Sequence, residues 1–89
     1  MAKLRIVHYI NQFFAQIGGE EKADYPLEYR DGKYVGPGLA FMQAWGNEAQ
    51  IVGTIVCGDS YFGENIDKAT SEVVEIVRKA KPDLFLATA

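Results

Sequence analysis

With 89 residues, 48% of them hydrophobic and 24% charged, the chain is sized and composed for one soluble globular domain. A formal net charge of −3 argues against nucleic acid as a partner, because phosphate binding draws on a surplus of Lys and Arg. The single cysteine, Cys57, excludes an internal disulfide framework and a cysteine-only metal site. No apolar run approaches the roughly 18 residues of a membrane helix, and with no leader pattern a cytoplasmic location is the default expectation.

Residues 3–10 form the first expected strand. Leu4, Ile6, Val7, Tyr9 and Ile10 suit a pleated sheet. Both side-chain parities are largely apolar, as in a central parallel strand covered on two faces. Asn11, Gln12, Phe13 and Phe14 lead out of it. Residues 18–36 read as a long loop carrying Gly18-Gly19, Tyr25, Pro26, Tyr29, Asp31-Gly32 and Tyr34. In a small domain such a stretch is functional or covered by a partner, and Asp31-Gly32 is a turn signal for a small hairpin.

Gly36-Pro37-Gly38 punctuates that loop. Pro37 suits the first turn of a helix; Leu39, Met42 and Trp45 recur at helical spacing and Gly46 stops it, so a helix is expected over Pro37–Trp45. Residues 50–56 form the second strand, β-branched at Ile51, Val52, Ile55 and Val56, and residues 57–60 turn the chain. Asn65 is placed to cap a second helix whose apolar face is Ile66, Ala69, Val73, Val77 and Ala80. Glu72 and Glu75 precede Arg78 and Lys79 on its exposed side. Pro82-Asp83 ends it, and residues 83–89 open a third strand through Leu84, Phe85 and Leu86.

The order β-α-β-α-β with right-handed crossovers gives three parallel strands. Placing the first strand between the other two, order 2-1-3, puts the helices on opposite faces and covers that strand best. The expected fold is therefore α/β, half of a Rossmann- or flavodoxin-like doubly wound domain. An apolar third strand with nothing beside it is an exposed edge, so residues 1–89 are expected to be the N-terminal portion of a larger protein.

Ligands in such sheets sit beyond the C-terminal ends of the strands, here near Asn11 to Phe14 and Cys57 to Tyr61, with the loop from Gly18 above. Glu20 and Glu21 are either a solvated loop tip or a site for an amine or cation. Asp59 either caps the Gly-Asp-Ser turn, the preferred assignment, or binds a cationic substrate. Cys57 at the end of a buried strand is a packed thiol before it is a nucleophile, and His8 inside the first strand is a satisfied core residue before it is a base. The loop aromatics wall a pocket or anchor an interface. There is no GxGxxG and no GxxxxGK[ST].

Taken together, KLRIVHYINQFFAQIGGEEKAD, VGPG, VCGDSYFGEN and KPDLFLA closely resemble the N-terminus of the selenoprotein B subunit of glycine, sarcosine and betaine reductases. A D-proline reductase subunit shares the broader family. The resemblance implies an oxidoreductase parent that reductively removes the amine from glycine, sarcosine or betaine and feeds acetyl phosphate formation, with thioredoxin as reductant. It implies a pyruvoyl-bearing partner subunit of component B, a selenocysteine in the parent complex, and transfer to selenoprotein A; nucleic acid and membrane have no place in it. The family's selenocysteine motif lies downstream of anything here and Cys57 does not match it. This chain is therefore expected to carry no catalytic residue and no cofactor of its own. Gly18, Gly19, Glu20, Glu21, Lys22, Gly58 and Asp59 match the family pattern, and strand-end geometry assigns them to substrate or subunit contact. The alternative is a stand-alone truncated α/β domain that binds subunits without catalysis; a flavin or nucleotide module is a third, against which the missing phosphate loop counts.

Overall fold

The computed structural model describes residues 3–88. Four strands and three helices follow one another as β1 (Leu4–Ile10), β2 (Glu28–Asp31), α1 (Pro37–Trp45), β3 (Ala49–Val56), α2 (Asp59–Glu64), α3 (Ile66–Ala80) and β4 (Leu84–Ala87), with a 3-10 turn at Glu20–Lys22. The sheet order is β2-β3-β1-β4. The three expected parallel strands thus stand in the expected order, with β1 between β3 and β4. The expected count is corrected: β2 adds a fourth strand, antiparallel to β3, and the sheet is mixed.

That extra strand comes from the presumed loop. Asp31-Gly32 does turn the chain, with Gly32 at φ 71°, but it does not make a local hairpin. Instead β2 pairs with β3, more than twenty residues on, Tyr29 facing Ile55 and Asp31 facing Gly53. A bulge makes room for it. The β1–β3 register runs from Ile6 opposite Ile51 to Val7 opposite Gly53, so Val52 has no partner in β1. The Val52 carbonyl accepts the Gly32 N–H at 2.8 Å. Beside it, the Tyr29 ring lies where a side chain on Gly53 would be; a Cβ there would stand 2.1 Å from the Tyr29 oxygen.

The helices do cover opposite faces. On one, Phe41 and Met42 of α1 pack with Leu86 against Ile6, Ala49 and Ile51. Further along that face, Ile10 and Val56 pack with Ala15, Ile17, Tyr25 and Val35. On the other, the Tyr9 ring meets Phe62 edge-on at 6.3 Å and Phe85 at 6.2 Å, beneath α3. Val7, Ile10, Ile51, Ile55 and Val56 are fully buried, each contributing about 1.5–3 kcal/mol by leaving water.

Two local expectations are corrected. The expected turn at residues 57–60 is only half a turn: Asp59 and Ser60 open a short helix, α2, that runs to Glu64. Asn65 stands at the N-cap position of α3 but makes no side-chain cap bond to it; its amide reaches back to the Tyr61 carbonyl at 2.9 Å and closes the end of α2. At the other end of α3, Lys81 takes the left-handed conformation. There the Arg5 guanidinium donates to the Ala80 carbonyl at 2.6 Å, a cation placed on the negative end of the helix. Glu75 pairs with Arg78 and Lys79 as the spacing implied, whereas Glu72 accepts the Tyr61 hydroxyl at 2.9 Å instead of joining them.

Candidate functional site

The segment after β1 folds back over the C-terminal ends of β1 and β3. Its pivot is Gln12, only 4% exposed. The Gln12 side-chain amide donates to the Gly19 carbonyl at 3.3 Å and to Asp59 Oδ2 at 3.4 Å. Its oxygen accepts the Asp59 backbone N–H at 3.1 Å. Asn11 adds its amide to both carboxylate oxygens of Asp59, at 3.4 and 3.2 Å, while its own oxygen holds the Phe14 N–H at 2.9 Å. One glutamine therefore ties the glycine pair to the strand-end aspartate.

The two backbones also touch. The Gly58 N–H donates to the Tyr25 carbonyl at 2.9 Å, and the Ser60 and Tyr61 N–H groups share the Ala23 carbonyl at 2.8 and 3.0 Å. A Cβ on Gly58 would lie 2.2 Å from the Ala23 oxygen and 2.6 Å from the Tyr25 nitrogen. Only a residue without a side chain allows this approach. Gly58 is therefore a packing requirement of the site.

Asp59 does not cap its turn, which corrects the preferred assignment. The hydrogen bonds to its carboxylate among the described residues come from Asn11 and Gln12. These donors are neutral amides. The ion pairs among the described residues lie elsewhere, at Glu28–Arg30 and on α3. Asp59 is thus an exposed carboxylate, positioned by amides and not neutralised by a cationic side chain. Chemically it can receive a cation or an ammonium group.

The remaining expected residues divide. Gly18, Gly19, Glu20, Glu21 and Lys22 lie together in and before the 3-10 turn. The Gly19 N–H donates to Glu21 Oε1 at 3.0 Å; backbone N–H groups of Glu21 and Gly19 hold that carboxyl below the ordinary carboxylate range. Glu20 and Lys22 are exposed; Gly19 is bonded into the Asp59 network through the Gln12 side chain, and the Gly18 N–H donates to the Gln12 backbone carbonyl at 3.5 Å. Cys57 is fully buried, and burial pushes its thiol up despite the Tyr9 hydroxyl beside it. That is the packed thiol expected. His8 is also fully buried. Its Nε2 shares a 2.7 Å hydrogen bond with Thr88 Oγ1, but among the described residues Nδ1 has no partner, so it is satisfied on one side only. Among the described residues no His, Cys, Asp and Glu side chains gather as a metal-holding group, and no helix is long and apolar enough to cross a membrane.

The strand end at Asn11 to Phe14 is where the sequence places the crevice, but it assigns no individual role to Asn11 or Gln12. Two adjacent amides immediately after a buried strand are the signal that marks them, because polar groups at that depth need partners.

The family model for glycine/sarcosine/betaine reductase selenoprotein B matches residues 3–89. The chain belongs to that family. Among curated relatives, it is 56% identical over 87 residues to the sarcosine reductase complex component B subunit beta of Peptoclostridium acidaminophilum, covering 98% of this chain and 20% of that protein. It is 53% identical over 87 residues to the glycine reductase complex component B subunit gamma of Carboxydothermus hydrogenoformans, with the same coverage. The betaine reductase complex component B subunit beta of Peptoclostridium acidaminophilum is 39% identical over 84 residues, 93% of this chain and 18% of that protein. The chain thus spans about a fifth of the length of these three relatives. No solved structure matches it.

Proposed function

We propose that this chain is the N-terminal α/β portion of a component B subunit, and that its strand-end site contacts the amine substrate of a glycine, sarcosine or betaine reductase. The observation that carries this is the Asp59 carboxylate, exposed and held by Asn11 and Gln12 with no cation of its own among the described residues. All three substrates present a cationic nitrogen, and a positioned carboxylate gains most from such a charge. Gly18, Gly19, Glu20, Glu21 and Lys22 form the adjoining rim, and Gly58 lets that rim approach the α2 turn. The order β3-β1-β4 with a helix on each face supports a doubly wound, Rossmann- or flavodoxin-like domain, in which strand ends are where ligands bind.

On this reading the reaction itself lies elsewhere in the complex: a selenocysteine and a pyruvoyl group on a partner subunit would supply the bond-breaking chemistry, and selenoprotein A would take up the product. What this chain contributes is orientation of the ammonium end by Asp59, and of Asp59 by Gln12. The buried Cys57, its thiol pushed up by burial, favours keeping catalysis out of this chain. The same observation favours the alternative, a subunit-binding domain without any substrate contact.

Kinetics of a full-length subunit separate the two. Asp59→Asn keeps the shape and removes the charge; substrate contact predicts a rise in KM for glycine or sarcosine of about tenfold or more, as for a lost charged hydrogen bond, with normal complex assembly. Glu20→Gln on the rim has a smaller effect of the same sign. Unchanged KM with weakened assembly favours the subunit-binding alternative; unchanged KM and assembly remove Asp59 from both.

A further inference from the structure

One side of β4 pairs with β1, and among the described residues nothing pairs with the other. The strand is Leu-Phe-Leu-Ala, without a charge, and Leu84 and Phe85 remain 53% and 45% exposed. Such an edge is a template for a further strand. Alongside it, on the α3 face, runs an apolar trough of about 350 Å³, lined by Phe62, Val73, Val74, Phe85 and Ala87 over the Tyr9 ring. Val74 is 48% exposed, and Ile66 at the start of α3 is 57% exposed.

We propose that this edge and trough receive the polypeptide that lies beyond the aligned fifth of component B subunits, as a helix in the trough leading to a strand parallel to β4. The occupant rests on the family membership. The relatives carry about four-fifths of their length outside the aligned region. Handedness selects the face. The passage from β3 through α3 to β4 already crosses β1 on the α3 face, and a right-handed crossover to a strand beyond β4 puts its helix on that same face. The apolar trough lies there.

The test grafts this chain in place of the aligned region of the Peptoclostridium acidaminophilum sarcosine reductase component B subunit beta. Amide exchange at Leu84–Ala87 is then compared between the hybrid and the 89-residue chain. The outward-facing amides should exchange roughly 100-fold more slowly in the hybrid, as paired ladder amides do relative to open ones. Val74→Lys and Phe85→Lys should lower the Tm of the hybrid by about 4 °C or more and that of the 89-residue chain by clearly less. Equal exchange in the two proteins, or substitutions that act equally on both, would overturn the proposal. So would a concentration-dependent dimer of the 89-residue chain that protects β4, which would assign the edge to a second copy. Because exchange at β4 does not depend on Asp59, loss of the substrate-contact role would leave this result standing.

Discussion

The two edges of the sheet are built from opposite materials. At one, β2 is four residues, Glu-Tyr-Arg-Asp. Arg30 pairs with Glu28 at 3.1 Å, Tyr25 donates to Glu28 at 3.0 Å, and Gly32 takes the bulge carbonyl of β3. Short, charged and next to a bulge, it has the features that stop a sheet from growing. At the other, β4 is equally short but wholly apolar and has an apolar trough at its side. The same sheet is thus closed where polar and glycine contacts finish it, and open where apolar surface is left over. Exposed apolar area of this kind marks a surface made to be covered.

The largest effect should come from breaking the closed side where backbone packs directly on backbone. Gly58→Ala drives a methyl into the Ala23 carbonyl and the Tyr25 nitrogen; both are backbone and cannot rotate away. A loss of about 3 kcal/mol is expected, read by urea denaturation. A loss below about 0.5 kcal/mol would show that the 11–25 segment does not rest on α2 in solution.

Gly53→Ala comes next. Its methyl meets the edge of the Tyr29 ring, which can move, so the expected cost is about 1–2 kcal/mol. Faster amide exchange should be confined to β2. Equal loss of protection across β1 and β4 would mean that β2 is not a separate closing element.

A third measurement addresses the β1–β4 seam through pH. Burial holds the His8 imidazole below its ordinary 6.5, and the first turn of α1 presses on it; a Cβ on Gly38 would stand 3.1 Å from Nδ1. The folded protein therefore refuses a proton that the unfolded chain accepts. Stability is full above pH 6.5 and falls as pH drops below it, by at most about 1.4 kcal/mol per pH unit. His8→Gln should flatten that slope between pH 6.5 and the carboxylate range. An unchanged slope would assign it to other groups.

The smallest effect is expected on the open side. Phe85→Lys in the 89-residue chain should change stability by no more than about 0.5 kcal/mol, since the ring is 45% exposed and half its apolar area is already in water. A larger loss, measured by the same denaturation, would mean that the contact with Tyr9 already makes this flank part of the core.

Much of this molecule follows from its sequence alone. The β-branched, doubly apolar runs at β1 and β3 require burial on both faces, and the 3.6-residue repeat of Ile66, Ala69, Val73, Val77 and Ala80 specifies α3. Pro37 and Gly46 mark the limits of α1. These are local signals, set by side-chain shape and spacing, and right-handed crossover then orders the parallel strands. The tertiary structure decided the rest. Glu-Tyr-Arg-Asp has no strong strand preference of its own and becomes β2 because Gly53 leaves room for Tyr29 and the bulge frees a carbonyl. Asp59 reads as a local cap until the chain folds; then Gln12, 47 residues away, takes its N–H and its carboxylate together. Asn65 likewise turns back to α2 instead of forward to α3. In each case the deciding partner is remote or sterically defined, and a polar side chain with several possible partners shows in sequence only that it needs one.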